Sequence, residues 1–163
     1  VNVEDLLLSN KESVTNLENL SLTALAAYSK KGGIVGVRAN LLSAEIYFQQ
    51  NEFEKARASW LAAAGAKKGA YTAPLAYFNA AVCSESLNDN ASALSYYKLA
   101  SEAKDFLLVD HALFSLGRVS EAQSDFASAK EAYEKLNDLH AGSSWANLAK
   151  SRLLALQAAG SIE

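Results

Sequence analysis

The chain has 163 residues, a net charge of −3 and a residue content that is 50% hydrophobic, a length at which one domain hides roughly 70% of its unfolded surface. So mild a charge, with Lys and Arg scattered rather than striped, excludes a nucleic-acid footprint. No run of about 18 apolar residues occurs, which excludes a membrane-spanning helix within the chain, and the single cysteine, Cys83, excludes an internal disulfide.

The chain opens at Val1 rather than at Met, as expected of a mature or trimmed product. Residues 1–32 are expected to form a divergent helical unit whose second helix spans Val14 to Lys30. Its marker is Lys30-Lys31-Gly32, which returns 37 residues later as Lys67-Lys68-Gly69 and sets Ala26 against Ala63. Small and aromatic positions have decayed there: Asn19 stands in the place of Ala56, and Thr23 in that of Trp60. Decay suits an end unit, which has one neighbour fewer to pack against.

Residues 33–69 read as a first full repeat. Leu41, Leu42, Ile46, Tyr47 and Phe48 belong to one amphipathic helix, and Phe53, Ala56, Trp60 and Ala63 form the inward stripe of the next. Between them Asn51 is expected to cap the second helix, with Glu54 reaching back to it. A second repeat over 70–106 runs from about Pro74, the lone proline, to Leu87, then turns at Asn88-Asp89-Asn90 and continues through Ala93, Tyr97 and Ala100. Proline is tolerated in the first helical turn, where its missing N–H is not needed. A third repeat over 107–142 runs from about His111 to Gln123, turns at Ser124-Asp125 and ends near Leu139. Past Gly142-Ser143-Ser144, the stripe of Trp145, Leu148, Ala149, Leu153 and Leu156 predicts a closing helix over 143–158.

These copies superpose on one residue set. Ala44, Ala56, Trp60 and Ala63 become Ala81, Ala93, Tyr97 and Ala100, then Gly117, Ala129, Tyr133 and Leu136, with shifts of 37 (44 to 81) and 36 (81 to 117). Self-similarity at such a period is the mark of a solenoid. Small residues let adjoining helices approach closely, and the aromatic four positions on fills the gap between neighbouring hairpins.

Catalytic chemistry does not assemble. Asp110-His111 with any serine makes no triad, because nothing holds a nucleophile on a strained turn. His111 and His140 sit near helix ends, where His140 can satisfy terminal carbonyls. One Cys and two distant His lack metal-ligand spacing, and Cys83 reads as a small buried hydrophobe. The Lys-Lys-Gly turns lack the phosphate-loop pattern and read as solvated helix ends. No catalytic residue, metal or cofactor is expected.

With these residues placed, the chain resembles the tetratricopeptide repeat family over residues 34–158. Leu116-Gly117, Phe126, Ala129 and Tyr133 match the family pattern in the third copy, and Ala44, Tyr47, Phe53, Ala56, Trp60 and Ala63 match it in the first. The copies are longer than the family's usual unit, its turn Gly is replaced by Asn51, Asn88 or Ser124, and its loop Pro is missing. Phe126 to Leu154 looks most like repeats of bacterial envelope proteins of the outer-membrane assembly and Tol-Pal coordination type. The resemblance implies an all-α solenoid of antiparallel helical hairpins, wound as a right-handed superhelix.

It also implies a concave groove, lined by the first helix of each hairpin, that holds a peptide or partner helix. Placed on that pattern, the groove takes Leu41, Glu45 and Phe48 from copy one, Phe78, Asn79, Val82 and Glu85 from copy two, and His111, Phe114, Arg118 and Glu121 from copy three. Leu41, Phe78 and Phe114 would form an apolar stripe, or else inter-helix core. Asn79 has the stronger binding case, since a buried amide needs partners. Chaperone-binding members clamp a C-terminal carboxylate at positions that here read Leu41, Glu45, Asn79, His111 and Ser115. Only Asn79 fits, and Glu45 would repel the anion, so that role is disfavoured.

The function expected is therefore a non-enzymatic protein-interaction scaffold, in a cell-envelope or periplasmic complex on the family likeness. Two readings compete with it. One is a small-ligand or transporter-associated subunit with a pocket around Phe78, Asn79 and Arg118. The other is a homo-oligomerising module whose groove is filled by the segment Val1 to Lys30.

Overall fold

A computed structural model describes residues 2–163. These form eight helices: α1 (Val3–Ser29), α2 (Gly33–Gln49), α3 (Phe53–Ala66), α4 (Ala73–Ser86), α5 (Asn90–Ser101), α6 (Val109–Ala122), α7 (Phe126–Leu139) and α8 (Ser144–Ala158). No strand occurs among the described residues. Successive helices pack on one another, and α6 also touches α8. The all-α solenoid expected from the repeat is the architecture found.

Helix boundaries follow local chemistry. Asn2 accepts the Glu4 N–H and starts α1, whose first turn carries Glu4 and Asp5 against the positive helix end. No Pro or Gly then interrupts the chain before Gly32. One continuous helix therefore runs from Val3 to Ser29, where a helix starting at Val14 was expected. It packs chiefly on α2, and the buried Asn40 amide ties the two by donating to the carbonyls of Ser29 and Gly36, both at 2.9 Å. Pro74 lies in the first turn of α4.

The three tight turns share one geometry. Asn51, Asn88 and Ser124 have φ of 59°, 58° and 60°, the left-handed conformation that ends a helix. In each, the amide after the left-handed residue folds back: Glu52 N–H donates to Tyr47 O (2.9 Å), Asp89 N–H to Ser84 O (2.8 Å) and Asp125 N–H to Ser120 O (3.0 Å). Asn51 is thus the terminator of α2 and not the cap of α3. The capping role falls one residue later. Asp89 and Asp125 accept the N–H groups of Ser92 and Ser128, whereas Glu52 makes no side-chain cap bond to α3.

The repeat positions form the interior. Ala44, Ala56, Ala81, Ala93, Ala129 and Tyr133 are fully buried, in three clusters that follow the three hairpins. Cys83 is buried among Trp60, Ala76 and Ala80, and loss of hydration pushes its thiol up to about 11. Gly117 is required by contact: a Cβ there would lie 2.7 Å from Tyr133 Cδ1 and 2.9 Å from its Cζ.

Candidate partner-binding face

The first helices of the hairpins, α2, α4 and α6, carry the residues expected to line the groove. The structure joins two sets of them into inter-repeat units. In the first, Tyr97 on α5 donates its hydroxyl to Glu85 Oε1 on α4 at 2.6 Å. Arg118 on α6 donates to both Glu85 oxygens at 2.7 Å. The unit recurs one repeat on. Tyr133 donates to Glu121 Oε2 at 3.1 Å, and Arg152 on α8 grips the same carboxylate through Nε and Nη2. Successive members are offset by 36 (85 to 121), 36 (97 to 133) and 34 residues (118 to 152).

Electrostatics follow from these bonds. The hydrogen bond from Arg152 is the main cause that lowers the Glu121 carboxyl below its ordinary range. Burial first, and then the bonded carboxylate, raise the Tyr97 hydroxyl well above the usual tyrosine range. Tyr133 is raised in the same way. Glu85, Arg118 and Glu121 are therefore already paired within the fold. Each unit links three helices, which holds adjoining hairpins in register.

In the first copy the unit is absent. Phe48 replaces the carboxylate (85 to 48, a shift of 37) and Trp60 replaces the tyrosine (97 to 60). Phe48 instead packs edge-on to Phe53, with ring centroids 5.6 Å apart. The Trp60 indole N–H is left buried without a partner.

The other expected groove residues divide. Glu45 is exposed, and Asn79 and Val82 are half-buried on α4. Leu41 is half-buried against the first cluster. Phe78 is a correction: it is only 7% exposed, enclosed by Tyr97 and His111 with ring centroids at 5.4 and 4.9 Å. It is a core side chain because α5 and α6 close over it. His111 is half-buried and stacks on Trp145 at 4.0 Å, and burial, ahead of the opposing effects of Asp110 and Arg118, lowers its pKa.

Phe114 lies 5.2 Å from the Trp145 ring and borders a cavity of about 410 Å³ with Arg118, Glu121, Tyr133 and Arg152. This is where Arg118 meets a cavity; neither Phe78 nor Asn79 lines it. Trp145 and Arg152 complete the site from α8, although the repeat pattern marks α8 only as a cover. The pattern also holds an unremarked ladder: Ile34, Tyr71 and Leu107, spaced 37 and 36 apart. It lies at the starts of the hairpins, with Tyr71 93% and Leu107 94% exposed.

The segment Val3 to Ser29 packs chiefly on α2 and does not run along α4 and α6 within the chain. Among the described residues no group of three His, Cys, Asp or Glu is placed to hold a metal. No described helix is long and apolar enough to cross a membrane.

Comparison with known proteins agrees with this architecture. Residues 111–143, spanning α6 and α7, match a family model described as tetratricopeptide repeat. The chain is also similar to a TPR repeat-containing protein of Treponema pallidum (strain Nichols), 34% identical over 139 residues and covering 85% of this chain. The chain spans 58% of that relative's length. No solved structure matches the chain. The eight-helix array is a tetratricopeptide-repeat-like helical solenoid in fold, and residues 111–143 are the stretch that matches the repeat's family model.

Proposed function

We propose that the chain is a non-enzymatic scaffold that holds a peptide or partner helix against α2, α4 and α6. Tetratricopeptide repeats generally mediate protein–protein interaction. The observation that carries the proposal is the pair of Glu–Tyr–Arg units. They brace the hairpins, so the surface between them needs little ordering when a partner arrives, and preorganisation is what turns contact area into affinity. Glu45, Asn79, Val82 and Phe114 are the side chains on this face that remain open to a partner. The test is binding by the parent and by Asn79→Ala and Phe114→Ser, with Lys68→Ala as a control in an exposed turn. The proposal fails if both face variants keep every partner that the parent holds.

Self-association is a second reading with its own observation. Leu6, Leu7, Leu17 and Leu20 of α1 are all more than half exposed, an apolar surface of the kind a second copy covers. Sedimentation velocity decides it: a monomer at all concentrations removes this reading and leaves the first intact. The scaffold would work in a cell-envelope assembly, on the likeness of Phe126 to Leu154 to envelope repeats. Fractionation of the source cell with an antibody to this chain tests that placement.

A further inference from the structure

We propose that the cavity between α5, α6 and α7 receives a guanidinium group, the arginine side chain of a partner protein. The neighbouring repeat junction shows what such a cavity takes. There Arg57 of α3 reaches across to the next hairpin, its Nη1 2.7 Å from Asp89 Oδ2 and 3.2 Å from Ser84 Oγ. Asp89 keeps its other oxygen on the Ser92 N–H at 3.2 Å.

One repeat later the acceptors return and the donor does not. Ser120 stands 36 residues after Ser84, and Asp125 stands 36 after Asp89. Asp125 Oδ1 again accepts the N–H three residues on, that of Ser128, at 3.1 Å. The position of Arg57, however, is now Leu94, a shift of 37. Leu94, Ser120 and Asp125 line a cavity of about 290 Å³. Ser120 is only 2% exposed and borders that space. Among the described residues, no side chain donates to its hydroxyl or to Asp125 Oδ2. In the third copy the same position is Lys130, whose ammonium reaches the Glu163 carbonyl at 3.1 Å. A long cation thus spans this junction in the first and third copies, and only the middle one leaves its acceptors bare.

Charge and shape select the occupant. Asp125, Glu102 and Glu131 face Lys98 and Lys135 around the cavity, leaving one negative charge in excess. A planar fork can serve a hydroxyl and a carboxylate together, as Arg57 does, and an ammonium matches that pair less well. The cavity is separate from the partner-binding face proposed above. Leu113, Leu116 and Ser120 lie roughly 200° around α6 from His111, Phe114 and Arg118.

The test is a titration of the 15N-labelled chain with ethylguanidinium, and with ethylammonium as control, followed by amide chemical shifts. Saturable shifts are expected at Leu94, Ser120, Asp125 and Ser128, and none at Ser84 or Asp89, where Arg57 is already bound. Asp125→Asn should weaken the response about tenfold, the worth of one charge-assisted bond. Leu94→Arg should abolish it by filling the cavity from within. Conversely, Arg57→Leu should open a second responsive site at Ser84 and Asp89, a gain of function that poor folding cannot mimic. Equal shifts with ethylammonium, shifts spread evenly over surface carboxylates, or no new site in Arg57→Leu would overturn the proposal.

Discussion

Gly117→Ala is the sharpest test of how the third hairpin is built. In the first two copies the same position is Ala44 and Ala81, so repeat-based reasoning would treat the change as harmless or helpful. Helix propensity agrees, favouring Ala over Gly by about 1 kcal/mol. The structure reverses the sign. An added methyl would lie 2.7 Å from Tyr133 Cδ1 and 2.9 Å from Cζ, against an ordinary carbon–carbon separation of about 3.5–4.0 Å. The ring must move by roughly an ångström, and it is fully buried with its hydroxyl held by Glu121. Overpacking costs about 1–3 kcal/mol, and loosening the hydroxyl bond adds about 0.5–1.5 kcal/mol. Less the propensity gain, a net destabilisation of about 1–3 kcal/mol is expected, which lowers the thermal midpoint by roughly 2–4 °C per kcal/mol at this chain length. Urea unfolding followed by far-UV circular dichroism measures it. In a Tyr133→Ala background the clash is gone, and Gly117→Ala should then stabilise. A Gly117→Ala chain as stable as the parent in the Tyr133 background would refute the close-contact account.

Other outcomes follow from the same geometry. Ala93→Leu should overpack the junction around Tyr97 and lower stability by about 1–3 kcal/mol in the same urea assay. Ser124→Gly should stabilise by up to about 1 kcal/mol, because Ser124 holds φ at 60° and only glycine adopts that region without a steric penalty; Ser124→Val should do the reverse. Because burial lowers the His111 pKa in the fold, the unfolded chain binds its proton more readily. The His111 contribution is therefore complete above the ordinary histidine pKa of about 6.5 and lost as pH falls through the lowered folded value. His111→Gln should flatten that part of the stability–pH curve. Cys83, with its thiol at about 11, should resist a thiol reagent at pH 8 in the folded chain and react on unfolding.

Much of the architecture is legible in one dimension. Which face of each helix turns inward depends on residue type at a 3.6-residue period, and the set Ala44, Ala56 and Trp60 with its two echoes marks that face without reference to any neighbour. The solenoid, the hairpins and the inner stripe follow from it. Turns are less legible. Asn51 suits both a cap and a left-handed terminator, and only the path of the returning chain selects between them. The first-helix face is the least so. Glu85, Arg118 and Glu121 are polar residues at helical spacing, which says where they point along their own helices. Whether each meets solvent or a partner from another repeat depends on how far the helices are offset. Tyr97 lies 12 residues from the carboxylate it serves, and Arg118 lies 33 from it.

The repeat and its buried small residues are thus properties of the chain alone, because periodicity is local and its reward is burial. Phe78 becoming core, Arg152 and Trp145 joining the site, and the bare Ser120 and Asp125 beside Leu94 were decided only by tertiary structure. Each depends on the separation and register of helices that no local pattern encodes, since a shift of an ångström or two exchanges a paired group for a solvated one.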